Sequence, residues 1–317
     1  MRILVMGAGA MGSSVGGYMA DAGHQVTLVG RGPHMAAIAE QGLRITGIWG
    51  DRTVRNLDAR TSPEGLTPGG FDVVFITVKS YDTAAALAAA APFVGPDTLV
   101  CAFQNGLGNV EQVAERFGWA RTVGVRAIYG VRINAPGLAE ITVIAHPTAL
   151  GVLRHEAPAG RVRELAETMN DAGLPTVYSD RIESLIWAKV AYNSALNPLS
   201  ALLGVPYGRL PEIPEARAMM DEVIGELYGV GSARGVDLNP PDADAYRELF
   251  YNVLIPPTAA HYASMHEDFA RRRRTEIEAM NGAIARFGAE SGVPTPANTF
   301  LTRLIHAREA ALGIVVP

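Results

Sequence analysis

The sequence predicts an α/β fold, with a parallel sheet in the first half of the chain and helices in the second. Short β-rich runs alternate with helical patterns up to about residue 180, which is typical of βαβ units wound into an open sheet. From Asp180 onward helical periodicity dominates. Because 317 residues are about twice a usual domain, we predict two domains, residues 1–180 and 181–317.

The elements of the first domain follow from the same patterns. Four segments carry the strand signature, namely Arg2–Met6, Gln25–Val29 and residues 72–78 and 98–103. An alanine-rich helix at residues 83–91 connects the last two. Residues 122–153 are β-rich and broken by proline and glycine, which predicts antiparallel hairpins that complete the sheet. A helix at 161–172 and a strand at 175–179 close the domain.

The composition excludes several classes of protein. Apolar residues make up 48% of the chain and charged residues 19%, with no apolar run long enough to cross a bilayer. A net charge of -5 and a single basic run, residues 271–274, do not form a nucleic-acid surface. The one cysteine, Cys101, excludes an internal disulfide and a multi-thiolate zinc site. With the first strand starting at Arg2, we expect no signal peptide and a cytoplasmic protein.

A glycine-rich loop follows the first strand directly. It reads Gly7-Ala8-Gly9-Ala10-Met11-Gly12 and has the G-x-G-x-x-G spacing between a predicted strand and a predicted helix. Gly7 permits a tight turn, Gly9 lets backbone amides approach a pyrophosphate, and Gly12 lets the helix pack closely on the strand. The alternative is an ordinary glycine turn. The context favours a Rossmann-type dinucleotide-binding domain.

The end of the second strand bears on the choice of cofactor. The strand ends Val29-Gly30-Arg31, where an NAD site normally places an acidic residue that binds the ribose hydroxyls. An arginine suits a 2'-phosphate, to which it donates forked, charge-assisted hydrogen bonds. Arg31 therefore predicts NADPH, against the alternative of a solvated surface arginine.

Two further polar residues lie just past predicted strands, where ligands bind in open α/β sheets. Lys79 follows residue 78, and Asn105 follows residue 103 within Gln104-Asn105-Gly106. We expect both side chains near the nicotinamide. Taken singly, Lys79 is also consistent with a surface lysine, and Asn105 with a common Asn-Gly turn.

The helical half opens with a polar stripe on an apolar helix. Lys189, Asn193 and Asn197 are spaced four residues apart and fall on one helical face. Buried polar groups cost free energy unless they are paired, so the three residues either form an internal hydrogen-bond network or line a polar pocket. A lysine is useful beside a reacting carbonyl, which favours the pocket.

A later segment, residues 264–278, has two capping-box spacings. Ser264 with Glu267, and Thr275 with Glu278, predict one short helix, a basic loop and a second helix beginning at Thr275. Ser264 and Glu276 are then near helix starts. On local evidence alone, caps and surface charges explain both residues.

Together, these motifs resemble the ketopantoate reductases (2-dehydropantoate 2-reductases) over nearly the whole chain. The resemblance rests on the glycine loop, Gln104-Asn105-Gly106, the Lys189 helix and the Ser264 to Ile277 segment, in the same order. It implies an NADPH-dependent reductase of a small 2-oxo acid, with Lys189 as the general acid and no metal. By the same resemblance, Glu276 holds the distal hydroxyl of the substrate and orients Lys189, and Lys79 and Asn105 lie near the nicotinamide. The substrate oxygens are bound by Asn105, Asn193, Asn197 and Ser264.

Two departures leave the substrate open. Residues 271–274 are all arginine where the family usually has a glycine-containing loop, and residues 138–141 continue a Pro-Gly segment in an atypical way. Three functions therefore remain: ketopantoate reduction in pantothenate biosynthesis, reduction of another small 2-oxo acid, and a regulatory protein that binds NADPH without catalysis. Helical second domains often pair, so a homodimer is compatible with the sequence.

Overall fold

The computed structural model describes residues 1–315 and divides into two compact units. The first comprises Met1–Gln104 and Asn109–Ile182, and the second comprises Asn105–Gly108 and the described chain from Glu183 onward. The fold is the predicted one, a Rossmann-type α/β unit followed by a helical unit. The four residues 105–108 were not expected to group with the helices, since they lie between a strand and a helix of the first unit.

The sheet of the first unit has ten strands within residues 1–315, in the order β4-β3-β9-β8-β7-β6-β1-β2-β5, with β10 paired to β9. Neighbours from β8 to β5 are parallel, as are β3 with β9 and β10 with β9, whereas β8 with β9 and β3 with β4 are antiparallel. The strands are β1 (Arg2–Met6), β2 (Gln25–Val29), β3 (Leu43–Gly47), β4 (Arg52–Val54), β5 (Leu57–Arg60), β6 (Val73–Ile76), β7 (Leu99–Ala102), β8 (Thr122–Ala135), β9 (Leu138–Gly151) and β10 (Thr176–Tyr178).

Burial on both faces explains why the first strand was predictable from the sequence. β1 pairs in parallel with β2 on one side and β6 on the other, and Ile3, Leu4 and Val5 are fully buried. A strand covered on both faces is a continuous apolar run. The antiparallel pairing expected over residues 122–153 is confirmed, but as one long hairpin of β8 and β9 and not as several.

The helices of the first unit lie between these strands. They are α1 (Ala10–Asp21), α2 (Gly32–Gln41), α3 (Thr83–Ala90), α4 (Asn109–Phe117) and α5 (Ala159–Asp171). The second unit contains α6 (Ile182–Leu203), α7 (Pro214–Ala233), α8 (Ala243–Leu249), α9 (Ser264–Ala270), α10 (Asn281–Ser291) and α11 (Pro296–Ala311). A short 3-10 turn, Ile277–Ala279, precedes α10. Among the described residues, no helix is long and apolar enough to cross a membrane.

The short helix and the basic loop expected over residues 264–278 are present, but both capping predictions and the second helix at Thr275 were wrong. The N-cap of α9 is Ala263, so Ser264 is already the first helical residue. The chain after Thr275 forms the 3-10 turn, and a regular helix begins only at Asn281. Ser264 lies inside the helix and cannot cap it, and Glu267 forms only an exposed pair with Arg271 at 3.8 Å. Glu278 contacts His306 at 2.6 Å instead of capping the chain at Thr275.

Candidate active site and cofactor-binding loop

The glycine loop between β1 and α1 has no room for side chains at its first and last glycines. Gly7 has φ +108°, and a Cβ there would lie 2.5 Å from the backbone nitrogen of Val78. A Cβ on Gly12 would lie 2.4 Å from the carbonyl oxygen of Gly7. Thr77 secures the turn, because its Oγ1 donates to the Gly7 oxygen at 2.9 Å. The loop is therefore packed against the end of β6.

The middle glycine, Gly9, has open space in front of it, unlike Gly7 and Gly12. This space decides whether the loop can accept a dinucleotide. A Cβ on Gly9 would meet only the Gly7 oxygen, at 3.9 Å, so the space in front of it is open. Gly9 is also the N-cap of the 12-residue helix α1, with no side chain capping it. Helix N-termini present unpaired amides and a partial positive charge, which suit a phosphate group. The loop residues therefore fit a pyrophosphate.

Arg31 is exposed and forms the N-cap of α2, directly after β2. One turn later, His34 ties α2 to its surroundings: its Nδ1 accepts from the backbone of Gly137 at 2.9 Å, and its Nε2 lies 2.9 Å from the Ser13 hydroxyl. Burial lowers the pKa of His34, which favours the neutral ring that this accepting role requires. Arg31 thus extends from a helix start that is fixed to α1.

Lys79 lies at the same edge of the sheet as the glycine loop. It follows β6 by three residues and begins the short turn Ser80–Asp82. Because Met6 and Ile76 are paired at the ends of parallel strands, the residues that follow each strand emerge at one edge. The Lys79 side chain is half-buried.

In the helical unit, Lys189 on α6 contacts Asn105 directly. The lysine Nζ donates to Asn105 Oδ1 at 2.6 Å, a short charge-assisted bond. The Asn105 loop is held by the 3-10 turn, since the amide of Leu107 donates to the Ala279 oxygen at 2.7 Å. Gly106 permits this approach, with φ +95° and a Cβ position only 2.2 Å from the same oxygen.

The predicted stripe on α6 divides into two environments. Lys189 and Asn193 are half-buried, whereas Asn197 is only 3% exposed. The Oδ1 of Asn197 accepts from the Tyr207 hydroxyl, and its Nδ2 donates to Met280 Sδ at 3.5 Å. Asn197 therefore belongs to an internal hydrogen-bond network. A direct contact between Asn197 and substrate stays a prediction.

Glu276 is a buried carboxylate, 5% exposed, at the start of the 3-10 turn. The residue before it is held from α11, because the Thr275 amide donates to Glu309 at 2.7 Å. His306 bridges Glu309 and Glu278 at 2.9 and 2.6 Å. Burial lowers the pKa of His306, but its bonds to the two carboxylates outweigh this, and the pKa is raised. This support around Glu276 was not predicted, since His306 and Glu309 look like an ordinary surface pair in sequence.

The predicted site residues thus fall into two groups, one in each unit. The first unit carries the glycine loop, Arg31 and Lys79. The second unit joins Asn105 to Lys189 directly, and Glu276 begins the turn whose Ala279 holds the Asn105 loop. Ser264 is exposed at the start of α9. Within residues 1–315, no cluster of His, Cys, Asp and Glu is suited to a metal ion.

Two family models match the chain. The one described as Ketopantoate reductase PanE/ApbA matches residues 3–155, and the one described as Ketopantoate reductase PanE/ApbA C terminal matches residues 181–309. Together they cover both the glycine loop and the Lys189 helix. The order of the two matches is the order of the two units.

Individual relatives agree over the full length. The 2-dehydropantoate 2-reductase of Aquifex aeolicus is 39% identical, covering 98% of this chain and 97% of its own. Among solved structures, the PanE/ApbA family ketopantoate reductase from Ralstonia eutropha is 32% identical with a TM-score of 0.87, covering 99% of this chain and 100% of its own. A D-mandelate dehydrogenase with NADH and anilino(oxo)acetate has 26% identity and a TM-score of 0.89 over the same shares. The chain belongs to the ketopantoate reductase PanE/ApbA family.

Proposed function

We propose that this chain reduces 2-dehydropantoate (ketopantoate) to pantoate, with NADPH as the hydride donor and Lys189 as the general acid. The observation that carries the proposal is the 2.6 Å bond from Lys189 Nζ to Asn105 Oδ1. It fixes the direction of an ammonium group that has three N–H donors. A half-buried ammonium group held in this way suits the polarisation of a ketone.

Composition supports this choice of residue. Of the 27 Lys and Arg residues in the chain, only Lys79 and Lys189 are lysines. Arginine thus supplies nearly all of the positive charge, and the two lysines both occur at predicted site positions. An arginine keeps its proton at any physiological pH, whereas a lysine ammonium can release one. A role in proton transfer accounts for a lysine at position 189.

The residues of the chain carry out every part of the reaction except hydride donation, which bound NADPH supplies. As a C–H bond forms at the keto carbon, the π electron pair of the carbonyl moves to oxygen. Lys189 stabilises that negative charge and donates its proton to it. Asn193, Ser264 and Asn105 bind substrate oxygens, and Asn197 is a further candidate for this role. Glu276 binds the distal hydroxyl and orients Lys189.

Arg31 underlies the proposed preference for NADPH. Replacing Arg31 with alanine should raise KM for NADPH by about tenfold or more, because the charge-assisted bonds to the 2'-phosphate are lost. KM for NADH should hardly change, since NADH lacks that phosphate. Steady-state kinetics with both cofactors measure the effect. An equal rise for both cofactors would remove the assignment of Arg31 to the phosphate.

Gly9 allows cofactor affinity to be tested separately from folding. Gly9→Ala should leave Tm near that of the parent, because the added methyl group enters open space, but should weaken NADPH binding at least tenfold by occupying the approach to the pyrophosphate. Gly12→Ala is the matched comparison and should lower Tm, since its methyl group would meet backbone. Thermal unfolding and NADPH titration test both variants. Undiminished NADPH binding by Gly9→Ala would contradict the assigned role of the loop.

The alternative substrate is another small 2-oxo acid, favoured by the likeness to the D-mandelate dehydrogenase whose structure contains NADH. NADPH and NADH oxidation across a panel of 2-oxo acids separates the candidates. The proposal predicts the highest kcat/KM for ketopantoate with NADPH. Preference for phenylglyoxylate, the 2-oxo acid corresponding to mandelate, would support the alternative. NADPH binding without turnover of any 2-oxo acid would instead indicate a regulatory protein.

A further inference from the structure

A proline inside α6 leaves one carbonyl of the helix without its usual donor. Pro198 has no N–H, so it cannot donate to the oxygen of Ser194, four residues earlier. Ser194 is fully buried, where an unpaired carbonyl is costly. The side chain of Asn281 supplies the missing donor, with its Nδ2 at 3.1 Å from the Ser194 oxygen. Asn281, the first residue of α10, thus replaces a backbone hydrogen bond in another helix.

The orientation of the Asn281 amide follows from its neighbours. A second contact of its Nδ2 is with Asn298 Oδ1 at 3.0 Å. The Asn298 amide is oriented in turn by Glu226, whose carboxylate accepts from Asn298 Nδ2 at 2.7 Å and from the backbone amides of Asn298 and Ala297 at 2.9 and 2.7 Å. Because a carboxylate only accepts, Asn298 must turn its NH2 group to Glu226 and its oxygen to Asn281. Both N–H groups of Asn281 are therefore used by acceptors.

The segment 276–281 connects the parts of the proposed site. It begins with Glu276. Its Ala279 oxygen holds the Asn105 loop through the Leu107 amide at 2.7 Å. Its last residue, Asn281, fastens it to Ser194 of α6, the helix that also bears Lys189. Met280 provides a weaker second attachment, because its Sδ accepts from Asn197 Nδ2 on α6 at 3.5 Å.

We propose that Asn281 is a positioning residue, which fastens the 276–281 segment to the Ser194 carbonyl and thereby fixes Glu276 and the Asn105 loop relative to Lys189. The proposal rests on the function proposed above for Lys189 and Glu276. Asn281 is itself fully buried and acts through the residues that it places. Its contribution to stability, but not the attachment of the segment, depends on the proline of α6, because a helix with an N–H at that position would satisfy the Ser194 carbonyl unaided.

The dependence on Pro198 provides the test. Asn281→Leu keeps the side-chain size but detaches the 276–281 segment from the Ser194 carbonyl, so it should lower kcat about tenfold or more with KM for NADPH within about twofold. It also leaves that carbonyl unpaired, which should lower Tm. Pro198→Ala should retain most of the turnover, since an alanine at that position provides the helical N–H. In the Asn281→Leu, Pro198→Ala double variant the Ser194 carbonyl is paired again but the 276–281 segment remains unattached, so kcat should stay low while Tm recovers. Leu165→Ala, a buried change on α5 in the first unit, controls for general destabilisation and should lower Tm without the loss of kcat.

Stability measurements keep this test separate from the proposed function. Without substrate, Asn281→Leu should lower Tm by roughly 5 °C in the parent and by clearly less in the Pro198→Ala background. If the Tm change of the double variant equalled the sum of the changes in Asn281→Leu and Pro198→Ala, the proposed dependence of the Asn281–Ser194 bond on Pro198 would be wrong. A normal kcat in a folded Asn281→Leu variant, or a kcat that Pro198→Ala restores to the parent value in the Asn281→Leu background, would overturn the positioning role. Absence of 2-oxo acid turnover in the parent protein would instead overturn the proposed function.

Discussion

Replacing Lys189 with arginine should remove most turnover while NADPH still binds. The guanidinium group keeps the positive charge but does not release a proton near neutral pH. Loss of general acid catalysis costs roughly 10²- to 10⁴-fold in kcat, and the forked group is also too large for the position of Nζ, 2.6 Å from Asn105. The measurements are kcat with ketopantoate and the Kd for NADPH by fluorescence titration.

Two further variants complete that experiment. Lys189→Ala should be at least as inactive as the arginine variant, because it also loses the charge. Lys79→Arg, at the only other lysine of the chain, keeps a charge where we expect the nicotinamide to bind and should affect mainly KM for NADPH. Retention of a tenth or more of the parent kcat by Lys189→Arg would be incompatible with Lys189 as the proton donor.

Gly106→Ala should produce the second largest loss. The added Cβ would lie 2.2 Å from the backbone oxygen of Ala279, at a residue with φ +95°, so the loop must move away from the 3-10 turn. Overpacking against backbone costs about 1 to 3 kcal/mol. Asn105 moves with the loop, and a displacement of about 1 Å at a catalytic group lowers the rate by about 10²-fold.

Gly118→Ala is the control for Gly106→Ala, because it introduces backbone strain without a steric clash. Gly118 has φ +83°, but a Cβ there would have open space around it. Gly118→Ala should therefore lower the free energy of unfolding by about 1 kcal/mol through strain alone, with kcat unchanged. Urea unfolding and steady-state kinetics give both quantities. If Gly106→Ala kept the parent kcat, placement of Asn105 by the 3-10 turn would have no part in catalysis.

The sequence predicted the fold where burial produces a clear pattern. β1 and β2 are largely apolar interior strands, each paired on both sides, and the structure has them at the predicted bounds. The short strands β3, β4 and β5, of five, three and four residues, were not predicted. They include exposed polar residues such as Arg44 and Asp58, so they lack the nearly continuous apolar run that marks strands buried on both faces.

The site was predictable where it depends on one helix and not where it depends on distant contacts. Helical spacing alone put Lys189 and Asn193 on one face of α6. The grouping of the Asn105 loop with the helical unit depends on the Leu107 to Ala279 hydrogen bond, which joins residues far apart in sequence. The replacement of a backbone donor by a side chain of α10 is equally invisible before the helices are packed. Both are long-range contacts, which local sequence patterns cannot predict.

Two residues of the arginine run at 271–274 pair with carboxylates of the preceding helix, α9. Arg273 pairs at 3.0 Å with Asp268, whose side chain is 3% exposed, and Arg271 with Glu267 at 3.8 Å. Two of the four cations thus have carboxylate partners from α9. This pairing favours a structural role for the run over recognition of a more acidic substrate.

The fate of the transferred hydrogen tests the central claim most directly. NADPH carrying deuterium at both C4 positions should be incubated with ketopantoate and the protein, and the product analysed by mass spectrometry and NMR. The account predicts pantoate with one deuterium, located at C2, formed at a rate that Lys189→Arg lowers by about 10²-fold or more. Consumption of NADPH that yields no pantoate, or pantoate without deuterium at C2, would contradict it.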